Sequence, residues 1–247
     1  MLATLLNEWK TLGDPVFTDA MVVRFQTDGY CQVLANGSLE CIADEIIERE
    51  IAYHRSIGRS FEWKLFSTDL PADLLDRLVA RGFEVGIKEV VCAVDLANYF
   101  REGDPDIRVE RVSNESQLND FRSVAEEVFG KDFSFTTGVL AKCLADGSDA
   151  EVGFVAYDGD TPVSIGRLDR AMGGTCGGLY TGGTLPEYRC RGYYQAVVAA
   201  RVAVARDVGL KYLWVDAQPT SLPILKRLGF EALVETWPCE YSFESED

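Results

Sequence analysis

Apolar positions along the chain follow the two-residue period of strands in some segments and the three-to-four-residue period of helices in others. In the second half this pattern predicts strands at 107–112, 151–157, 161–170, 175–184 and 211–217, helices at 115–129, 135–145, 190–207 and 221–228, and a final β pair over 231–243. In the first half it predicts helices near 3–12 and 43–57 and strands near 20–26, 30–35 and 61–66. The predicted fold class is therefore α/β (α+β), with mixed, mainly antiparallel sheets flanked by helices.

The chain also contains an internal repeat at an offset of 147 residues. This shift places Asp69 on Asp216 and the Gly-Phe-Glu tripeptide at 82–84 on the one at 229–231. Two copies of a strand–helix–strand unit are therefore predicted. The stretch 97–106 combines Gly, Pro and charge without apolar periodicity, which favours a connection. We predict one domain at 1–102 and a second at 103–247, with the boundary near Gly103.

The segment richest in chemistry is L-P-E-Y-R-C-R-G-Y-Y at 185–194, which lies between a predicted strand and the long apolar helix. The first turn of a helix has unpaired N–H groups and a partial positive charge, so it binds anions. Gly192 lets the backbone approach a ligand closely, and Arg189 and Arg191 add positive charge. The segment therefore predicts a diphosphate site.

P-E-Y-R-x-R-G closely resembles the acetyl-CoA signature R/Q-x-x-G-x-G/A of the GNAT superfamily, with Arg189 and Gly192 in the first two fixed places. Tyr194 stands where that family has Gly or Ala, so either the loop holds the diphosphate differently or the phenol packs along the cofactor. The run S-L-P-I-L-K-R-L-G-F-E from Ser221 resembles the family's fourth helix. The resemblance covers about 106–243 and implies a tandem GNAT protein that takes acetyl-CoA as co-substrate and no metal. The residues implied to bind acetyl-CoA are Thr184, Leu185, Arg189, Cys190, Arg191, Gly192, Tyr193 and Tyr194.

The N-terminal copy lacks this signature. The 147-residue offset puts Ile42 opposite Arg189 and Glu45 opposite Gly192. A carboxylate cluster stands at this helix start: Asp44, Glu45 and Glu48. Carboxylates there favour the helix dipole but repel a diphosphate. We interpret residues 1–102 as a degenerate copy that packs against the active one.

The resemblance implies an N-acetyltransferase that moves an acetyl group from acetyl-CoA to an amine of a small molecule by direct attack in a ternary complex. The thioester would lie between the strands 175–184 and 211–217, with its carbonyl polarised by backbone N–H groups. The family's frequent general-acid tyrosine falls on Leu225. The residues predicted to be catalytic are Asp216, Glu187, Tyr180 and Tyr241, with Tyr194 and Glu240 as further proton-transfer candidates. For Asp216, the repeat partner Asp69 favours a structural role, such as capping a turn.

The composition and charge of the chain limit the kinds of partner and compartment that we expect. A formal charge of −16 argues against nucleic acid, and no apolar run reaches the ~18 residues of a membrane span. Seven dispersed cysteines indicate reduced, mostly buried thiols, and the N-terminus lacks a secretory signal, so we expect a cytoplasmic protein, monomeric or homodimeric. His54 is expected at the surface and 173–178 in a hairpin turn. The competing functions are a catalytically silent acyl-CoA-binding or protein-interaction module and a protein or peptide N-acetyltransferase.

Overall fold

The structure is a computed structural model that describes residues 1–27, 29–99, 106–170 and 174–243. Its helices are α1 Leu2–Leu12, α2 Ala43–Ser56, α3 Leu74–Ala80, α4 Glu115–Phe129, α5 Ser134–Ala145, α6 Tyr193–Asp207 and α7 Leu222–Arg227. Its strands are β1 Phe17–Thr18, β2 Val22–Thr27, β3 Tyr30–Ala35, β4 Phe61–Phe66, β5 Glu84–Val85, β6 Glu89–Asp95, β7 Arg108–Arg111, β8 Glu151–Asp158, β9 Thr161–Asp169, β10 Cys176–Thr184, β11 Tyr212–Ala217 and β12 Glu231–Tyr241. The periodicity thus predicted most elements to within a few residues. Among the described residues no helix is long and apolar enough to cross a membrane.

The chain folds into two compact units that do not follow a single cut in the sequence. The C-terminal unit consists mainly of Ala93–Val215, whereas the N-terminal unit combines Leu2–Cys92 with Asp216–Leu225 and the chain from Ala232 onwards. The predicted boundary near Gly103 lies outside the described residues, and the division at 102/103 stays a prediction.

In the N-terminal unit the strands lie in the order β1-β2-β3-β4-β12. The β2–β3 pair is antiparallel, and β3 pairs in parallel with β4 after the crossover through α2. The strand β12 runs antiparallel to β4, from Thr236 opposite Phe66 to Tyr241 opposite Phe61. The predicted β pair over 231–243 is therefore wrong. This segment is one strand because β4, from the other end of the sequence, supplies its partner.

In the C-terminal unit β7, β8, β9 and β10 form an antiparallel sheet, and β11 joins β10 in parallel after the crossover through α6. Side chains alternate between the two faces of such a sheet. Ile165 on β9 packs into the apolar core with Phe121 of α4, whereas a Cβ on the neighbouring Gly166 would meet Val197 of α6. Helices α4 and α5 thus cover one face and α6 covers the other.

The two units confirm the predicted repeat but correct its alignment. Each has an antiparallel strand pair, a crossover helix and a parallel strand, in the elements β2-β3-α2-β4 and β9-β10-α6-β11. The crossover helices begin 150 residues apart, at Ala43 and Tyr193, because the connection 67–73 is three residues longer than 218–221. Ile42 therefore corresponds to Gly192, so its predicted alignment with Arg189 is wrong.

The same correction applies to Asp216, which lies within β11 and corresponds to Leu65 of β4, whereas Asp69 lies in the turn after β4. Asp69 caps that turn by accepting a hydrogen bond from the Phe66 N–H at 2.9 Å. Asp216 thus has no acidic counterpart, and the structural role inferred for it from Asp69 loses its basis.

Two local predictions also need correction. His54 was expected at the surface but is only 2% exposed, because α2 presents it to the sheet, where its ring stacks on Phe61 with centroids 3.9 Å apart. Burial lowers the pKa of His54. Gly177 and Gly178 lie in β10 rather than in the turn predicted over 173–178, and Gly173 lies outside the described residues.

Candidate functional site

The loop between β10 and α6 folds back on the strand that precedes it. The Leu185 N–H donates to the Val163 carbonyl at 2.9 Å, and a 3-10 turn follows at Pro186–Tyr188. Arg189 Nε then donates to the Thr184 carbonyl at 3.1 Å. These contacts hold the end of β10 and the start of α6 in a compact turn, as an anion-binding loop requires.

Gly192 is the residue that lets this turn reach the helix. It precedes α6 with φ +90°, in the left-handed region that other residues enter only with strain. A Cβ at this position would lie 3.2 Å from Ile107 Cδ1. Cys190 is exposed and also has a positive φ, of 62°. Because position 192 has no side chain, none stands there in front of the first turn of α6, and we refer to this feature as the uncovered helix start.

The charges around the loop suit an anion. Arg189 and Arg191 are both exposed, and the Arg191 guanidinium lies 5.3 Å from the ring centroid of Tyr188. Tyr193 is buried, and burial together with a hydrogen bond to Asp158 raises its pKa. The uncovered helix start and the exposed guanidinium groups fit the diphosphate of a CoA thioester, which would supply an activated acyl group when bound.

The strand that leads into this loop is irregular where a thioester carbonyl would need N–H donors. In β10, Tyr180 pairs with Arg167 and Gly183 with Ile165, so a bulge takes Thr181 and Gly182 out of the regular register. Thr181 has φ +51°. Bulges redirect backbone groups away from the ladder and are common beside active sites.

Buried hydroxyl groups fasten the end of this strand. Ser164 Oγ donates to the Gly183 carbonyl at 2.8 Å and lies 2.7 Å from Thr184 Oγ1. Thr184 is buried, and its carbonyl accepts the hydrogen bond from Arg189 Nε. The hydroxyl pair thereby fixes the strand between the bulge and the diphosphate loop.

The strands β10 and β11 are paired only at one end, from Cys176 opposite Tyr212 to Gly178 opposite Trp214. Tyr180, two residues further on, packs edge-on against Trp214 at a centroid distance of 5.5 Å, and the Arg167 guanidinium lies 5.2 Å from its centroid. Glu187 is exposed in the 3-10 turn at the other end of the loop.

Arg201 of α6 was not among the residues predicted from the sequence to form the site, and it is only 1% exposed. Tyr194, seven residues earlier on the same helix face, hydrogen bonds to the Arg201 guanidinium. A Cβ added at Gly182 would lie 3.1 Å from the Tyr194 ring. The phenol at the third motif position therefore packs under the bulge of β10. The signal for Arg201 was present, since it interrupts an apolar run at the spacing of one helix face.

Asp216 lies near the end of β11, in the part of that strand that belongs to the N-terminal unit, within a buried group of charges. Lys64 Nζ is 2.7 Å from Asp216 Oδ2 and 3.9 Å from Glu89 Oε2. Burial by itself would lower the pKa of Lys64, but Asp216 and Glu62 outweigh it and raise that pKa. Burial and the Asp216 charge raise the pKa of Glu89 to about 6. Among the described residues, Asp216 Oδ1 is buried without a hydrogen-bond partner.

Tyr241 is the remaining residue predicted to be catalytic, and it also lies in the N-terminal unit. Its ring packs against Phe83 at 5.0 Å, Phe243 at 5.1 Å and Phe61 at 5.9 Å, measured between centroids. Glu240, beside it on β12, is exposed. The structure thus divides the four predicted residues, with Tyr180 and Glu187 in one unit and Asp216 and Tyr241 in the other.

The start of α2, which corresponds to the diphosphate loop, is built differently. Asp44 pairs with Arg77 of α3 and with Arg81, which directly follows α3, each at 3.0 Å, and Glu48 pairs with Arg81 at 3.1 Å. Ile42 precedes the helix where the other copy has Gly192. The acidic helix start is thus engaged by arginines of its own unit.

Comparison with known proteins agrees with this geometry. Residues 117–230 match the family described as the acetyltransferase (GNAT) family. No curated protein matches the chain. The fold is similar to a GCN5-related N-acetyltransferase from Kribbella flavida, with TM-score 0.71, 14% identity and coverage of 99% of this chain and 95% of that one. A GCN5-related N-acetyltransferase from Sphaerobacter thermophilus has TM-score 0.66 and 11% identity, over 98% of this chain and 85% of that one.

A tandem GNAT protein from the clavulanic acid biosynthesis pathway has TM-score 0.56 and 9% identity, over 91% of this chain and 79% of that one. At these sequence identities the similarities show the fold alone, and they cover both copies of the repeat. The glycine-shaped anion loop lies within the segment that matches the family by sequence. Residues 117–230 are therefore a domain of the GNAT acetyltransferase family, in a chain with the fold of a tandem GNAT protein.

Proposed function

We propose that this protein is an N-acyltransferase that takes an acyl group from an acyl-CoA, of which acetyl-CoA is the donor implied by the motif, and transfers it to an amine of a small molecule. The loop from Leu185 to Tyr194 carries this proposal. It combines a left-handed glycine, an uncovered helix start and two exposed arginines. The carboxylates at the corresponding start of α2 support one cofactor site per chain, in the C-terminal copy.

The chain's own groups support direct transfer. N–H groups of the β10 bulge at Thr181 and Gly182 would polarise the thioester carbonyl, while the loop holds the diphosphate. Fixing the donor in this way brings the acyl carbon into range of a bound amine, and such positioning supplies much of the rate in group transfer. The attacking nitrogen loses one proton, and the departing CoA sulfur gains one.

Asp216 is our proposed proton acceptor. The ion pair with Lys64 uses Oδ2, whereas Oδ1 has no hydrogen-bond partner among the described residues and keeps its capacity to accept. Glu187, Tyr180 and Tyr241 remain proposed catalytic residues. An Asp216→Asn variant should lower kcat while leaving the affinity for CoA unchanged.

A second candidate function is a catalytically silent acyl-CoA-binding module. It is favoured by Leu225, which stands where the family's frequent acid tyrosine falls and is wholly buried. Such a module would bind the thioester by the same loop without turning it over.

Two measurements separate these functions. Calorimetry with CoA and acetyl-CoA tests the loop, and release of free CoA thiol in the presence of a panel of small amines tests transfer. One bound CoA per chain with amine-dependent thiol release supports the transferase. Binding without thiol release on any amine supports the silent module, and absence of binding contradicts both.

A further inference from the structure

Arg201 carries a charge that no anionic group among the described residues neutralises. Its side chain is among the largest fully buried ones of the described residues, at 1% exposure. Nε donates to the Val197 carbonyl at 3.2 Å and Nη1 to the Arg167 carbonyl at 3.4 Å, which are both uncharged groups. Nη2 is buried and has no hydrogen-bond acceptor among the described residues.

A buried cation without an anion is costly, because it has lost its hydration and gains no Coulomb energy in return. Burial lowers the pKa of Arg201, and the groups that oppose this effect are the phenols of Tyr194 and Tyr99. No ion pair to Arg201 occurs within the described residues. A guanidinium nonetheless stays protonated in proteins, so the site calls for an anion that arrives with a ligand.

The guanidinium lies beneath the bulge of β10. Gly166, opposite the bulge on β9, makes room for it, since a Cβ there would come within 2.7 Å of Arg201 Cζ. A Cβ at Gly182 would lie 3.6 Å from Nη2. The two glycines therefore let the guanidinium approach the backbone of the part of β10 at which the thioester carbonyl is proposed to bind, beside the Tyr194 phenol.

The position also indicates which end of a donor the cation would meet. Arg201 follows Tyr193 by eight residues, about 12 Å along α6, and it is buried under the sheet, whereas the diphosphate loop is exposed at the helix start. The pantetheine arm of CoA is uncharged. The only permanent negative charge that an acyl-CoA can place near the bulge is therefore one carried by the acyl group itself.

We infer that Arg201 selects an acyl group with a terminal carboxylate, so that the preferred donor is a short dicarboxylic acyl-CoA such as malonyl-CoA or succinyl-CoA. This inference rests on the proposed acyl transfer and narrows its donor beyond the acetyl group implied by the motif. The carboxylate accepts hydrogen bonds from Nη2 and neutralises the guanidinium. The transfer itself is unchanged: the C–S bond breaks, the C–N bond forms, and a proton passes from the amine to the CoA thiolate.

The decisive comparison uses two donors of the same shape. Malonyl-CoA and isovaleryl-CoA differ in that a terminal carboxylate replaces an isopropyl group. Titration by calorimetry requires no acceptor and no turnover, and CoA itself serves as the reference ligand. We expect the wild-type protein to bind malonyl-CoA or succinyl-CoA at least ~10-fold more tightly than isovaleryl-CoA, the factor expected for a hydrogen bond to a charged group.

A matched pair of variants locates the effect. Arg201→Met replaces the guanidinium by a shorter, unbranched apolar side chain and should bring the ratio of malonyl-CoA affinity to isovaleryl-CoA affinity to about one. Arg206→Met removes another arginine of α6, which donates to the Leu96 carbonyl at 2.8 Å, and should leave the ratio unchanged. If Arg201→Met does not fold, the wild-type comparison still decides.

Each outcome has one meaning. CoA binding with equal affinity for malonyl-CoA and isovaleryl-CoA would overturn the carboxylate inference and leave the acyltransferase proposal standing. A carboxylate preference that survives in Arg201→Met would overturn the role of Arg201. Absence of binding by CoA itself would overturn the proposed function and this inference together.

Discussion

Replacement of Gly192 tests the diphosphate loop most directly, and two substitutions separate backbone strain from charge. Gly192→Gln and Gly192→Glu introduce side chains of nearly equal size at φ +90°, with the new Cβ 3.2 Å from Ile107 Cδ1. A non-glycine residue in this conformation costs about 1–3 kcal/mol, so both variants should lose that much stability. Glu at a helix start recovers some tenths of a kcal/mol through the dipole and should be the more stable of the two.

Binding should follow the opposite order. A carboxylate about 6 Å from a diphosphate, at an effective dielectric constant between that of a protein surface and that of water, is repelled by about 1–3 kcal/mol. Gly192→Glu should therefore bind CoA ~10–100-fold more weakly than Gly192→Gln. The gap should shrink in 0.5 M salt, where the Debye length falls to a few ångströms.

The assays are calorimetric titration with CoA and urea unfolding of both variants. Equal affinities of the Gln and Glu variants at low salt would show that no anion docks at this helix start. Wild-type affinity in the Glu variant would remove the loop from the binding site altogether.

Three further predictions concern buried groups. Lys64→Met should destabilise the protein by about 3–5 kcal/mol at pH 8, because the buried carboxylates lose their cation. The loss should be smaller at pH 5, because Glu89, with a pKa of about 6, takes up a proton there. A loss of stability in urea unfolding that is the same at both pH values would contradict this prediction. The pKa of Asp69 is raised by burial to about 6, so the folded state binds its proton more tightly, and wild-type stability should fall as pH rises from about 4 to about 6. Asp69→Asn should lack this decline. The stability of the variant minus that of the wild type should therefore be ~2–3 kcal/mol greater at pH 8 than at pH 4. Parallel pH profiles of the two proteins would refute this prediction. Gly166→Ala should cost about 1–3 kcal/mol in thermal or urea unfolding, because its methyl group would lie 2.7 Å from Arg201 Cζ, and an unchanged stability would show that this helix can shift.

Local pattern was sufficient for most of the elements and for proposing a cofactor loop. The spacing of apolar residues predicted α4 at 115–129, where the structure has Glu115–Phe129, because that helix buries one face and is capped by Asn114 and Gly130 at its ends. The loop at 185–194 was recognisable because its chemistry is contiguous in the chain. In the proposed site a glycine, two arginine side chains and the backbone N–H groups of a helix start all come from neighbouring residues.

What depends on residues far apart in the chain was predicted poorly. The repeat offset failed between β4 and α3, since a loop can gain three residues without disturbing the elements around it. His54 appeared to be on a charged helix face because the sequence does not show that Phe61 stacks on it. The final strand was predicted as a pair because its partner, β4, lies about 170 residues earlier.

The amino-acid sequence by itself predicted most of the secondary structure, the repeat and a candidate diphosphate loop, because each depends on side chains and backbone that are close along the chain. Only the tertiary structure decided which charges are buried and what faces them. Asp216 meets Lys64 from the other end of the sequence, and Arg201 lies under β9 and β10 without an anionic partner in the part of the chain that the structure describes. Such environments arise from the packing of distant segments, and the free energy of a buried charge depends on its neighbours in space rather than on its neighbours in sequence.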